Sequence, residues 1–598
     1  MKNAFAIVTL SALMATHAMA QTSAVPADAP ASPAAAEARP DAEAGAKAEA
    51  KAQARGEGLP NVELNSELLY KLTKAEMEFK NGQWQGPYVT MMMAAQQTRD
   101  PRLARRASEM ALAAKQGGEA LAAIRLWREL APESDEATQF FLGFVVLTDK
   151  IEEAEPIFAQ RIEAAPPGSR GVALFQTQQI LSRANDKLYA YAMLVRLMEP
   201  YHDMFEAHLV LAQGALSIGE RARAIAEANK ALQMKPASEL AVLTLAQVTG
   251  EPQAANQALA NFLAKNPDAV EVRAAYARLL VEQKQLEAAR TQFLALLKSQ
   301  PDNVAGLYAL GIVSLQLDDA KGAEQYFKRF LAVLEKKPGD ERDPFKALMI
   351  LSQIAESRGD LPGAIAWLDK VDSRESGGYL DARLRRAQLM ARSGNLDGAR
   401  KSLAETQVDD PAAQGQIVLV DAQLLRDAGY VQSAYTVLEN ALVRFPDNPE
   451  LLYDYALLAE RLDKLEQMEA SLRRVMQLAP DNQHAYNALG YSLAERNVRL
   501  PEALALIERA LQMAPGDPFI MDSMGWVQFR MGNLPAAEDA LRRAYAVRPD
   551  PEIAVHLGEV LWHKGDKEGA QKLWREAQAK DPENDALKNT LARLNVSL

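Results

Sequence analysis

Six histidines are the natural place to look for chemistry in this chain. His556 and His563 lie seven residues apart with Glu559 between them. On a helix that spacing is two turns, about 10.5 Å of rise, which is too far for one metal ion without further ligands. His202 and His208 stand near Asp203 and Glu206. Six residues apart on a helix they point in different directions, so they read as an exposed pair at a junction between units. The chain has no cysteine, which excludes zinc–thiolate sites, iron–sulfur clusters and a thiol nucleophile. It has no GxSxG elbow, no HExxH pair and no glycine-rich phosphate loop. Carboxylates are so abundant, 79 against 67 Lys and Arg, that some pairs arise by accident. Catalysis needs a constellation, and none assembles; the expectation is no enzyme, no cofactor and no metal site. What remains is noncovalent binding, for which the C-terminal part offers Tyr491, Phe519, Trp526, Phe529 and Trp562 with Arg530 among them. Such residues grip without bonding covalently, aromatics through contact area and Arg through directional hydrogen bonds.

The elements that must position this set are written twice between residues 518 and 582. Counting Pro518 as position one puts Gly525 at eight, Ala537 at twenty, Ala544 at twenty-seven and Pro549 at thirty-two. Restarting at Pro551 puts Gly558, Ala570, Ala577 and Pro582 on the same positions. Met521, Met524 and Val527 form an apolar stripe at helical spacing. Asp517 caps that helix and Pro518 suits its first turn. Gly532 and Asn533 end it, since either tolerates a left-handed residue, and Pro535 opens a second helix. Gly525 and Ala537 have almost no side chain, so the two helices can approach closely where they cross.

The period runs through most of the chain. Pro132, Pro166 and Pro200 are 34 apart, and Pro411, Pro446, Pro480, Pro515, Pro549 and Pro582 continue at 33 to 35. Pairs of small residues twelve apart recur between them, among them Ala277 and Ala289, Gly311 and Ala323, and Ala422 and Ala434. A period near 34 residues is that of stacked helical hairpins, and the pattern resembles the tetratricopeptide repeat (TPR). The fold expected is all-α: a right-handed TPR superhelix, an α-solenoid of about fifteen hairpins over residues 61–598, closed by a short capping helix near 587–594. Two places break register. The unit ending at Pro267 is three residues short, around Gly250-Glu251-Pro252, and residues 335–344 insert EKKPGDERDP; both read as tolerated surface changes, the alternative being a kink in the solenoid.

In the repeat family, positions two, five, nine, twelve and thirteen of the first helix face the concave side. Carried onto this chain, that rule selects Asn487, Tyr491 and Glu495, then Phe519, Asp522, Trp526, Phe529 and Arg530, then Glu552, Glu559, Trp562 and His563. Two readings stay open for the tryptophans. They line a binding groove, or they plug gaps between neighbouring hairpins.

Residues 1–20, MKNAFAIVTLSALMATHAMA, have a positive start, a short apolar run and a small-residue end before Gln21. That is the pattern of a cleaved secretory signal, and the apolar run is shorter than the ~20 residues of a membrane span. The expected location is the periplasm, with no cysteine to carry a lipid. Residues 21–60 are Ala- and Pro-rich with few large aliphatics, a composition that reads as a disordered tether. A formal charge of −12 argues against nucleic acid, whose binders usually present a basic face.

Two stretches carry a narrower resemblance. Residues 69–115, from LYKLTKAEMEFKNGQW onward, and residues 487–562, from NALGYSLAERNVRLPEALALIERALQMAPGDPFIMDSMGW onward, resemble a proteobacterial periplasmic TPR family. That family includes a lipoprotein adaptor for a carboxyl-terminal processing protease. The resemblance implies a noncatalytic adaptor that binds the protease and delivers peptidoglycan hydrolases to it. The lipidated cysteine of that family is missing here. The alternative is a TPR scaffold for exopolysaccharide export or outer-membrane assembly.

Overall fold

The computed structural model describes residue 60 and residues 65–148, 150–337, 342–371 and 378–598. The leader, nearly all of the 21–60 segment and residues 338–341 of the inserted loop lie outside the described residues. Among the described residues there are 31 α-helices, from Ser66–Lys80 to Asp585–Leu594, two 3₁₀ turns and no strand. In chain order they make fifteen pairs followed by one last helix. This is the expected all-α repeat, and the last helix begins two residues before the expected 587.

The helices begin where the sequence places caps. Asn303, Asn448, Asn482, Asp517 and Asp550 each precede the first helix of a pair, and each side-chain oxygen accepts a backbone amide two or three residues on. Those amides have no partner inside the helix, so each cap supplies one of the missing bonds. Within the pair 518–547 the first helix ends at Arg530, and Gly532 takes the left-handed turn at φ 84°. Asn533 does not share that conformation. Its φ is −87°, and it leads directly into Leu534–Val547.

The small-residue pairs mark close crossings. A Cβ on Gly525 would stand 2.4 Å from Leu541 Cγ and 3.1 Å from the Ala537 carbonyl oxygen. One on Gly558 would stand 2.3 Å from Trp574 Nε1. Each glycine thus admits a large side chain of the second helix into the crossing.

Contacts divide the chain into two compact units, Met1–Thr249 and Gly250–Leu598. In the first, hairpins pack through small apolar clusters such as Ala75, Met91, Ala107 and Met110. In the second, the core is a succession of clusters spanning 277–389, 422–527 and 537–587. The candidate residues all belong to this second unit, on three consecutive first helices: Gln483–Glu495, Pro518–Arg530 and Pro551–Lys564. Asp585–Leu594 follows them.

Candidate functional site: the inner wall of the last hairpins

The seam between these helices is built from contacts one repeat apart. His556 Nδ1 lies 2.9 Å from both carboxylate oxygens of Asp522, 34 residues earlier. Its ring stacks on Trp526, with centroids 4.2 Å apart and planes 25° from parallel. The Trp526 indole N–H donates to Glu495 Oε2 at 2.6 Å. Arg530 donates from Nε to the Ala494 carbonyl at 3.0 Å and also to the Glu495 carbonyl, two of the last carbonyls of their helix. At the far end, Arg593 grips Glu559 with two bonds of 2.7 Å. This fork-to-carboxylate geometry is the strong form of an ion pair.

Burial sorts the candidate set into two layers. Trp526 is 3 % exposed, Asp522 6 % and Glu559 0 %. The expectation that positions five and nine face the open groove is therefore corrected at these three residues. Their side chains turn into the seam between successive first helices, and Trp526 belongs to the apolar core with Val527 and Ile520. Met524, assigned to the core stripe, is only partly buried. The outer layer is Phe519, 43 % exposed, with half-buried Asn487, Tyr491, Phe529, Arg530 and Trp562.

The outer residues rest on the inner ones. Phe529 packs on Trp526 at 5.1 Å and meets the His563 ring edge-on at 5.1 Å. Trp562 lies against Trp574 at 5.6 Å with Lys567 Nζ 5.0 Å from its ring centre. Arg548 sits 5.0 Å over Phe519. Aromatics held this way lose little freedom on contact with a partner.

Electrostatics follow from the burial. Loss of water disfavours the charged form of His556, but the Asp522 charge and hydrogen bond, with Glu552 and Glu495 behind them, win and raise it above its ordinary value. Burial, then the charges of Glu552, Glu495, Asp522 and Glu460, push the Tyr491 phenol up. Desolvation, helped by Asp522 and opposed by His556, raises the Glu552 carboxyl. An Asp–His pair can serve acid–base catalysis when it faces a substrate. This one is buried on both sides and is a structural ion pair.

Sequence reasoning missed His556 as the hub. The signal available was an Asp at position five and a His at position six of the next unit, facing across one repeat. His208 is also corrected. It is buried, with Nδ1 2.6 Å from Glu227 and Nε2 2.9 Å from the His202 carbonyl, while His202 is exposed. Among the described residues no group of three or more His, Asp or Glu could hold a metal ion, and no helix is long and apolar enough to cross a membrane.

Comparisons with known proteins agree with the repeat class. Tetratricopeptide repeat models match residues 249–311, 465–518 and 523–585. The last two ranges contain the candidate residues other than Phe519 and Asp522, which fall between them. A TPR repeat-containing protein of Pseudomonas aeruginosa is 34 % identical over 209 residues, which is 35 % of this chain and 35 % of the relative. The match thus spans about a third of that relative's length. Among solved structures, a thermophilic TPR protein of Thermus thermophilus is 24 % identical, covering 30 % of this chain and 99 % of its own, with a TM-score of 0.28. The APC/C hetero-tetramer Cut9–Hcn1 is 13 % identical, covering 89 % of this chain and 96 % of its own, with a TM-score of 0.32. The repeat models and the Pseudomonas relative support the tetratricopeptide repeat family as the class of these hairpins.

Proposed function

We propose that this chain is a noncatalytic, exported adaptor whose inner wall at residues 483–564 holds a protein client. The observation that carries this reading is the two-layer wall. Tyr491, Phe519, Phe529, Arg530 and Trp562 offer aromatic and guanidinium contact surface. Phe529 and Arg530 rest on Trp526, and Tyr491 on His556. The buried support is tied by Asp522 to His556, Trp526 to Glu495 and Glu559 to Arg593. Partly exposed aromatics and arginines on a rigid support are the usual makings of a binding hot spot. Tetratricopeptide repeats are generally protein-binding scaffolds, which fits this use.

The finer reading rests on the resemblance of residues 69–115 and 487–562. The partner is a carboxyl-terminal processing protease of the cell envelope, and the clients are peptidoglycan hydrolases delivered to it. The test is reconstitution. The purified chain is mixed with such a protease from the same source and one of its hydrolase substrates. Faster hydrolase cleavage with the chain present, and none with the chain alone, is the expected result. A protease that neither binds the chain nor responds to it removes the adaptor reading. Fractionation of cells tests export, and a cytoplasmic pool alone contradicts it.

A further inference from the structure

We propose that the Asp522–His556 pair is a pH-responsive latch, setting how tightly the last three first helices of the array close against one another. The inference goes beyond partner binding and stands on the geometry of the seam.

Four side-chain ties here link successive first helices, and the last helix to them. Trp526 to Glu495 and Arg530 to the carbonyls of Ala494 and Glu495 join Pro518–Arg530 to Gln483–Glu495. Asp522 to His556 joins Pro551–Lys564 to Pro518–Arg530. Glu559 to Arg593 joins Asp585–Leu594 to Pro551–Lys564. Of the charged groups in these ties, only an imidazole normally changes charge between about pH 5 and 8. The latch is therefore the one tie whose strength follows pH near neutrality.

The groups facing His556 make that change consequential. From Gln483–Glu495 come Tyr491, its ring centroid 6.1 Å away, and Glu495. From Pro518–Arg530 come Asp522 and, across Trp526, Arg530 at 5.7 Å from the indole. On its own helix are Glu552, Glu559 and His563, with Glu559 already neutralised by Arg593 of the last helix. The second helix Leu534–Val547 carries Glu538, whose charge is met by Lys564 rather than by His556. On Lys567–Lys580, Trp574 lies in the apolar core and Lys567 over Trp562 rather than against His556. The imidazolium is thus the charge that offsets Asp522, with Glu495 and Glu552 nearby. A neutral ring can still donate one hydrogen bond to Asp522. It no longer balances three carboxylates, one of them buried.

The sign follows from the raised value of His556. A group bound more tightly to its proton in the folded state stabilises fully below its unfolded value and loses that contribution as pH rises through the folded one. The latch closes in mild acid and loosens on the alkaline side of the ordinary histidine value of 6.5.

Trp526 supplies the readout, because an imidazolium stacked on an indole quenches its emission. Tryptophan fluorescence of the full chain is followed from pH 5.5 to 9.5, with hydrogen exchange of peptides from 518–530 and 551–564 corrected for intrinsic rates. The expected result is an emission rise with its midpoint above 6.5, absent in Trp526→Phe and in His556→Gln. Across that rise, protection of the two peptides falls about tenfold while peptides of residues 66–249 hold theirs. Asp522→Asn keeps the histidine but removes its counter-charge, so its midpoint moves down. This variant decides the matter if His556→Gln folds poorly. Absence of a Trp526-dependent step overturns the latch. So does a step that survives His556→Gln, one whose midpoint ignores Asp522→Asn, or one without a change in protection.

Discussion

Replacing Trp526 with alanine separates the two layers of the wall. The side chain is 3 % exposed, and an aromatic residue of this kind buries on the order of 150–250 Å². At about 25 cal/mol per Å² this is roughly 4–6 kcal/mol of transfer free energy. Observed losses for Trp→Ala in cores are about 3–5 kcal/mol, cavity included. The indole bond to Glu495 adds little, since that carboxylate is exposed and water replaces the donor. A repeat array need not unfold as one body, because each hairpin is held only by its neighbours. A loss of this size therefore falls on the last hairpins and leaves Met1–Thr249 intact. Differential scanning calorimetry with hydrogen exchange resolves this. An early transition confined to peptides from about 483 onward is expected, with Trp526→Phe intermediate. A Trp526→Ala chain that melts and exchanges like wild type would refute the assignment of Trp526 to the supporting layer.

Other outcomes follow from the same contacts. Gly525→Leu drives new atoms into Leu541 and the Ala537 carbonyl, and overpacking of this kind costs about 1–3 kcal/mol; urea unfolding of the C-terminal hairpins reads it. Arg593→Ala leaves the fully buried Glu559 carboxylate without its counter-charge. Because Arg593 itself is half exposed, water can reach the gap, and the loss should stay below the cost of about 3–5 kcal/mol for a pair buried on both sides. Exchange of Asp585–Leu594 should then reach the rate of a frayed end, whereas Glu559→Gln with Arg593 intact should lose less. Hydrogen bonds from Arg358 and Lys328 hold Glu324 down at about 2, and those from Arg499 and Arg473 do the same for Glu469. Both carboxyls are depressed from 4.5, so the stability they give is complete above that value and is lost as pH falls toward about 2. Unfolding midpoints measured from pH 6 to 2.5 should fall less steeply in Glu469→Gln, and an unchanged slope would contradict the pairing.

The fold was legible because its determinants are local. Asp517, Pro518, Gly525, Gly532 and Ala537 each do in the structure what their residue type and spacing imply. The site was legible only in part. Position numbers place the candidates on three successive first helices, yet cannot say whether a side chain at position five or nine points into the groove or into the seam. That depends on what the next unit places 31 to 34 residues away. Trp526 turns inward because His556 offers a ring to stack on and Glu495 an acceptor. Asp522 is buried because His556 supplies its charge. Phe519 stays outside because Arg548, rather than a neighbouring first helix, covers it. His208 was misread for the same reason, since Glu227 lies 19 residues away on the following helix.

Contact surface without loss of support is the property to measure. Phe519, Phe529 and Trp562 lie in the outer layer, and their combined replacement by alanine leaves Asp522, Trp526, His556, Glu559 and Arg593 in place. Wild type and this triple variant are first shown to melt together. Each is then immobilised and titrated with the protease or hydrolase client identified by reconstitution. Hot-spot aromatics carry about 2 kcal/mol or more each, so the variant should bind at least thirtyfold more weakly, by about 1.4 kcal/mol per decade. A variant that keeps wild-type melting and wild-type affinity would contradict a client held by this wall.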